Sequence, residues 1–217
     1  MSERATARLF VAIDPPAAVR EELGAWARVA AVAASGRSAS GGGAVRVLAP
    51  ETMHLTLCFL GGRPVQELSR IAAVVEGLRA AGAEIALGGP LWLPPRRPRA
   101  LALAVHDRRE ELMRLHEALA QELSQAIGWQ PERRRFKAHV TVARIGRGRQ
   151  RHRGSRDGES VLPPTPQLSF PAREVVLYRS RLSPGGASYE ALAASALAAS
   201  SEPSSPAGEG FSAEPGA

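Results

Sequence analysis

The feature that most constrains this chain is a strand-like tetrapeptide that occurs twice, His54-Leu55-Thr56-Leu57 and His139-Val140-Thr141-Val142. With only five histidines in 217 residues, a doubled His-x-Thr-x is a specific signal rather than a product of composition. Apolar and polar residues alternate around each copy. Met53, Leu55, Leu57 and Phe59 fall on one side, with His54, Thr56 and Cys58 on the other. Ala138, Val140 and Val142 likewise oppose His139, Thr141 and Ala143. Residues i and i+2 of a strand project from one face, so each imidazole is expected beside its own threonine hydroxyl, away from the core. Cys58 is expected on that polar face, as a small strand residue next to the motif.

The remaining pattern places a helix ahead of each motif strand. Arg8 to Ile13 reads as a strand. Asp14-Pro15-Pro16 supplies a cap and a proline start for a helix to about Ala34. Residues 35–44 read as a flexible Gly/Ser loop. Val45 to Leu48 is a short strand, and Thr52 to Leu60 is the first motif strand, stopped by Gly61-Gly62. A helix over about Val65 to Ala81 follows. Strands come next at Glu84–Leu87 and Arg99–Val105, around the loop Pro94-Pro95-Arg96-Arg97-Pro98. Leu112, Leu115, Leu119 and Leu123 mark an amphipathic helix over about Arg108 to Ile127. The second motif strand runs from Arg135 to Ile145, and strands at Glu174–Ser180 and Ser188–Leu192 close the chain. The expected fold is α+β and bilobal: two antiparallel sheets related by an approximate twofold, helices outside, and the motif strands facing one central cleft. One domain is expected over 1–198, with a flexible loop near 146–166, and a disordered tail over 199–217.

Two histidines facing each other across a cleft form an acid and base pair, because the imidazole pKa lies near neutrality. One must be neutral and the other protonated. For a phosphodiester this permits in-line displacement: the neutral ring takes a proton from water while the charged ring protonates the oxygen leaving from the far side of phosphorus. Thr56 and Thr141 can donate to the non-bridging oxygens, where charge accumulates. A metal reading fails on inventory, since neither motif has an acidic or cysteine partner at ligand spacing and a zinc site needs about three protein ligands. A nucleophilic threonine would need a base and an oxyanion hole that duplication does not explain.

These residues resemble the RNA 2′,3′-cyclic phosphodiesterases, also called 2′-5′ RNA ligases, of the 2H phosphoesterase superfamily. Arg8-Leu9-Phe10-Val11-Ala12-Ile13-Asp14 is similar to the family's opening strand. His54 through Gly61 and Phe136 through Arg144 are similar to its two motifs. Leu177-Tyr178-Arg179-Ser180 through Tyr189-Glu190 is similar to its closing hairpin. The resemblance implies hydrolysis of RNA ends carrying a 2′,3′-cyclic phosphate to a 2′-phosphate, with 2′-5′ ligation as the reverse direction. It implies His54 as proton donor, His139 as proton acceptor, Thr56 and Thr141 as phosphate ligands, no metal and no cofactor. Arg144 is a further phosphate contact by the same implication, although five positions past His139 it belongs to the opposite face of a regular strand. Lys137 shares the His139 face and is a second candidate for touching RNA. His106 and His116 fall outside any motif and read as packing or surface residues.

Charge agrees with a polyanionic partner. The net charge is +7, and 28 basic residues include a single lysine, Lys137. Arginine grips phosphate through a bidentate fork, although arginine-for-lysine usage also follows coding bias. The Arg147 to Arg156 segment, with His152, reads as an RNA-binding arm or an idle insertion. With no membrane span and one cysteine, the chain is expected to be a cytoplasmic monomer. A non-catalytic RNA-binding module and an enzyme for small cyclic nucleotides or ADP-ribose cyclic phosphate remain as rivals.

Overall fold

A computed structural model describes residues 5–35, 45–132, 135–146, 162–183 and 186–199. Nine strands form one sheet among these residues. In chain order the elements are β1 (Thr6–Ile13), α1 (Ala17–Ser35), β2 (Val45–Val47), β3 (Leu55–Pro64), α2 (Leu68–Gly77), β4 (Glu84–Leu93), β5 (Ala100–Asp107), α3 (Glu111–Ile127), β6 (His139–Ile145), β7 (Ser169–Pro171), β8 (Glu174–Ser183) and β9 (Gly186–Ala196). A 3₁₀ turn over Pro50–Thr52 leads into β3. The sheet order is β7-β4-β5-β6-β3-β1-β8-β9, with β2 added on β6.

The α+β class is as the sequence suggests. The two antiparallel sheets expected from the sequence are corrected to one: the described strands join in a single sheet, and the seam between the β7-β4-β5-β6 half and the β3-β1-β8-β9 half is narrow. β3 and β6 share one ladder pair, Leu55 with Val140. Both residues are fully buried. Each motif strand is then secured within its own half, β3 by β1 and β6 by β5. The helices cover the apolar side, where Leu9, Ile13, Leu23, Leu55, Leu101, Leu103, Leu112, Leu119 and Leu123 are all excluded from water. No helix among the described residues is long and apolar enough to cross a membrane.

One departure from regular strand geometry reshapes both motifs. Along β3, Thr56 pairs with Ala12 but Cys58 pairs with Val11, so Leu57 is an extra residue. Along β6, Thr141 pairs with Ala102 but Ala143 pairs with Leu101, so Val142 is the extra residue. A bulge of this kind resets which face the following residues occupy. Leu57 and Cys58 both turn to the core, as do Val142 and Ala143. Phe59 and Arg144 therefore return to the histidine face. The even alternation read from the sequence, with Cys58 on the polar side and Phe59 in the core, is corrected by this bulge: Cys58 is 1% exposed and Phe59 42%.

Other differences have local causes. β3 does not stop at Gly61-Gly62. Gly61 takes φ +71°, a left-handed conformation that glycine tolerates without strain, and the pairing with β1 continues to Pro64. α2 is shorter than its apolar pattern, and β6 begins at His139 rather than Arg135. β7 is an element the sequence reading does not include; its Phe170 is buried and pairs with Ile85 of β4. Of the loop expected over 146–166, residues 147–161 lie outside the described residues, and with them the Arg147–Arg156 segment. The following residues pack closely: the Trp26 indole N–H donates to the carbonyls of Pro163 and Pro164 at 3.2 and 3.0 Å. Residues 200–217 of the expected tail also lie outside the described part.

Candidate active site

The two histidines are held in the same way. His54 Nδ1 is 2.9 Å from the carbonyl oxygen of Thr52, and His139 Nδ1 is 2.7 Å from that of Lys137. A carbonyl only accepts, so Nδ1 carries the proton in both rings and Nε2 is the nitrogen left to work. The contact repeats at the same offset, two residues back, at the entry to each motif strand. Lys137, expected to share the His139 face, lies before β6 begins; its backbone carbonyl is what orients the imidazole.

The seam brings the motifs face to face. About the Leu55–Val140 pair, antiparallel register sets Thr56 against His139 and His54 against Thr141. The charge of His139 is felt at His54, as is that of Arg144. A cleft of about 610 Å³ opens over this face, with His54, Thr56, Phe59 and Arg144 in its walls together with Arg8, Phe10, Arg46 and Tyr189. His139 and Thr141 stand across the seam rather than in the wall of that cleft.

Arg144 reaches the site by the Val142 bulge, which removes the objection that an odd offset from His139 would turn it away. Arg144 and Phe59 also correspond in position, each the fifth residue after its histidine and the second after the extra residue of its bulge. One half of the site thus presents a guanidinium where the other presents a phenyl ring. The Arg8 guanidinium lies over that ring, 5.0 Å from its centroid.

His54 sits in an aromatic enclosure. Phe10 stacks on its ring at 4.6 Å, and Tyr189 meets it edge-on at 5.1 Å. Burial in this enclosure holds the His54 pKa below the ordinary 6.5; the Thr52 carbonyl and Asp14 oppose the shift, while Arg144 and His139 add to it. Asp14, read from the sequence as a helix cap, accepts a hydrogen bond of 2.5 Å from the Tyr178 hydroxyl. Burial and this carboxylate push the phenol well above its usual range. Phe10, Tyr178 and Tyr189 were not singled out from the sequence, although Phe10 is two residues from Arg8 on one strand face and was legible as such.

The remaining candidates resolve as structural. Cys58 is buried, and burial pushes its thiol up to about 12, which keeps it protonated. His116 donates from Nδ1 to the Leu57 carbonyl at 2.9 Å and stacks on Phe136 with 4.4 Å between centroids. It therefore satisfies the carbonyl of the bulged residue and braces the approach to the second motif. His106 is exposed on β5 with its ring over Gly88, where any side chain would collide with it. Among the described residues no three His, Cys, Asp or Glu side chains gather as a metal would require.

Comparison with known proteins gives a consistent result. The family model described as the 2′-5′ RNA ligase superfamily matches residues 10–183. An RNA 2′,3′-cyclic phosphodiesterase of Archaeoglobus fulgidus is 31% identical over 141 residues, covering 64% of this chain and 73% of the relative. The RNA 2′,3′-cyclic phosphodiesterase of Escherichia coli K12 is 26% identical over 186 residues, covering 85% and 93% respectively. The crystal structure of E. coli LigT complexed with 3′-AMP superposes with a TM-score of 0.67 at 27% identity, covering 89% of this chain and 99% of that one. With both motifs inside the matched span, and the fold shared along nearly the full length of the solved relative, this chain belongs to the 2′-5′ RNA ligase superfamily.

Proposed function

We propose that the protein is an RNA 2′,3′-cyclic phosphodiesterase that opens the cyclic phosphate at an RNA end to a 2′-phosphate, with His54 and His139 as its acid and base and with no metal in the step. The observation that carries this reading is the matched tethering of both imidazoles through Nδ1, which leaves two Nε2 atoms for one phosphorus centre. His139 Nε2 takes a proton from water as its oxygen bonds to phosphorus. The P–O3′ bond breaks on the opposite side, and O3′ takes its proton from His54 Nε2. Thr56, Thr141 and Arg144 bind the non-bridging oxygens as charge grows there. Attack by the ribose 5′-hydroxyl of a second RNA in place of water, with O3′ leaving as before, gives the 2′-5′ ligation. A monomer working in the cytoplasm, over residues 1–198, is the simplest setting for this chemistry.

The decisive experiment supplies an oligoribonucleotide with a 2′,3′-cyclic end in the presence of EDTA. The expected product carries a 2′-phosphate and a free 3′-hydroxyl. An intact ring would remove the reading, and a 3′-phosphate would reverse the leaving-group assignment.

The enclosure around His54 makes a second expectation. A donor must be loaded before it acts, and burial makes this imidazolium a stronger acid that is harder to load; the bound phosphate anion favours loading. In free enzyme the proton leaves as pH rises through a value below 6.5, so the limb of the kcat/KM profile that reports His54 lies on the acid side of an ordinary imidazole. Tyr189→Ala admits water to the ring, raises its pKa toward 6.5 and moves that limb to higher pH. A limb that stays in place would show that another group controls it.

A further inference from the structure

Backbone pairing across the seam stops after one rung. Leu55 pairs with Val140, and an antiparallel ladder continued from there would set Leu57 against Ala138 and Phe59 against Phe136. Neither pair forms: Leu57 is the extra residue of the first bulge, and β6 begins only at His139. His116 of α3 occupies this gap. Its Nδ1–H donates to the Leu57 carbonyl at 2.9 Å, and its ring stacks on Phe136 with 4.4 Å between centroids and 8° between planes. One side chain thus joins the first motif strand to the approach of the second where the ladder fails. A residue that only filled space here would be apolar, as Leu112, Leu115, Leu119 and Leu123 on the same helix are.

We propose that His116 is a positioning residue for His139, a side-chain rung that sets the second catalytic imidazole relative to the first motif. The inference rests on the two-histidine reading of the site. From Phe136 the chain takes one step to Lys137, whose carbonyl holds His139 Nδ1 at 2.7 Å and so fixes both the direction of the ring and the tautomer that leaves Nε2 free for the proton of water. At the other end of the rung, Leu57 directly follows Thr56. His116 is not in the walls of the catalytic cleft, so its influence on the reaction passes through these two contacts. They act in series: a hydrogen bond without the stack, or a stack without the hydrogen bond, leaves the two strands unlinked.

The test uses that series relation together with a readout that needs no turnover. His116→Asn keeps an N–H for the Leu57 carbonyl and loses the ring, His116→Phe keeps the ring and loses the donor, and His116→Ala loses both. Each should lower kcat on a 2′,3′-cyclic RNA end by about 10- to 100-fold, with KM changed by less than about twofold, because a misplaced base costs turnover rather than binding. Leu119→Ala empties a fully buried site on the same helix and controls for stability; where it stays folded, its kcat should remain within about twofold of the natural value. The nitrogen-15 shifts of the His139 imidazole, at a pH where the ring is neutral, should report the Nδ1–H tautomer in the natural protein and in Leu119→Ala, and a mixture with the Nε2–H form in His116→Ala. Unchanged kcat in His116→Ala, activity restored by His116→Asn or His116→Phe alone, or an unchanged His139 tautomer overturns the inference. A natural protein that leaves the cyclic end intact overturns the two-histidine reading instead, and the tautomer comparison still decides whether His116 orients His139.

Discussion

Replacing His139 by alanine is expected to lower kcat on a 2′,3′-cyclic RNA end by about 10²–10⁴-fold, the usual contribution of a positioned general base. His54→Ala should cost a similar factor by removing the proton for the leaving oxygen. The double variant should be little worse than either single one, because the two rings serve one displacement and groups that act as a unit are not additive. RNA binding should survive, since the cleft keeps Arg8, Arg46 and Arg144 in its walls. Single-turnover rates together with equilibrium titration of a non-cyclic oligonucleotide separate the two effects. Variants that retain turnover within a few-fold would remove the two histidines from the mechanism, and a natural protein that binds the oligonucleotide without turning over the cyclic end would be an RNA-binding module.

The second large effect is expected at the seam. Leu55→Ala removes a fully buried side chain at the one ladder pair joining the halves of the sheet, and should destabilise the protein by about 2–5 kcal/mol. The relevant control is Leu103→Ala. Leu103 is equally buried but belongs to β5, which pairs with β6 and not with β3. Both variants should lose comparable stability by denaturant titration. Leu55→Ala should lose the larger part of its turnover at temperatures where both remain folded, because that pair is what sets the two motif strands side by side. Equal activity losses would mean that the seam does not set the distance between the motifs.

Much of this site was legible because two strand-like His-x-Thr-x patterns each state a face, and a face is what a strand's period of two encodes. The β-α-β order in each half was legible for similar reasons, from the leucine stripe of α3 and the apolar runs of β1 and β5. The bulges were not. An extra residue at Leu57 or Val142 leaves no compositional mark, since both are ordinary core residues for a strand. Their effect appears only when β1 and β5 fix the register from outside. Cys58, Phe59 and Arg144 were consequently assigned faces by a regular alternation that the sheet interrupts. Arg46 was missed for a different reason: a three-residue strand beside a Gly/Ser-rich stretch carries too little pattern to place on β6. The partnership of His116 with the Leu57 carbonyl likewise depends on a bulge that must exist before the carbonyl needs a donor.

The substitution of a phenyl ring for a guanidinium between the two halves also bears on which ester bond breaks. Two imidazoles related by a near twofold cannot by themselves tell O2′ from O3′; turning the substrate end over would exchange their duties and deliver the opposite regioisomer. Phe59 and Arg144 occupy matching positions with unlike chemistry. The pocket therefore carries an asymmetry beyond that of its two histidines, and on the cyclic phosphodiesterase reading these two residues are expected to set the handedness of ring opening.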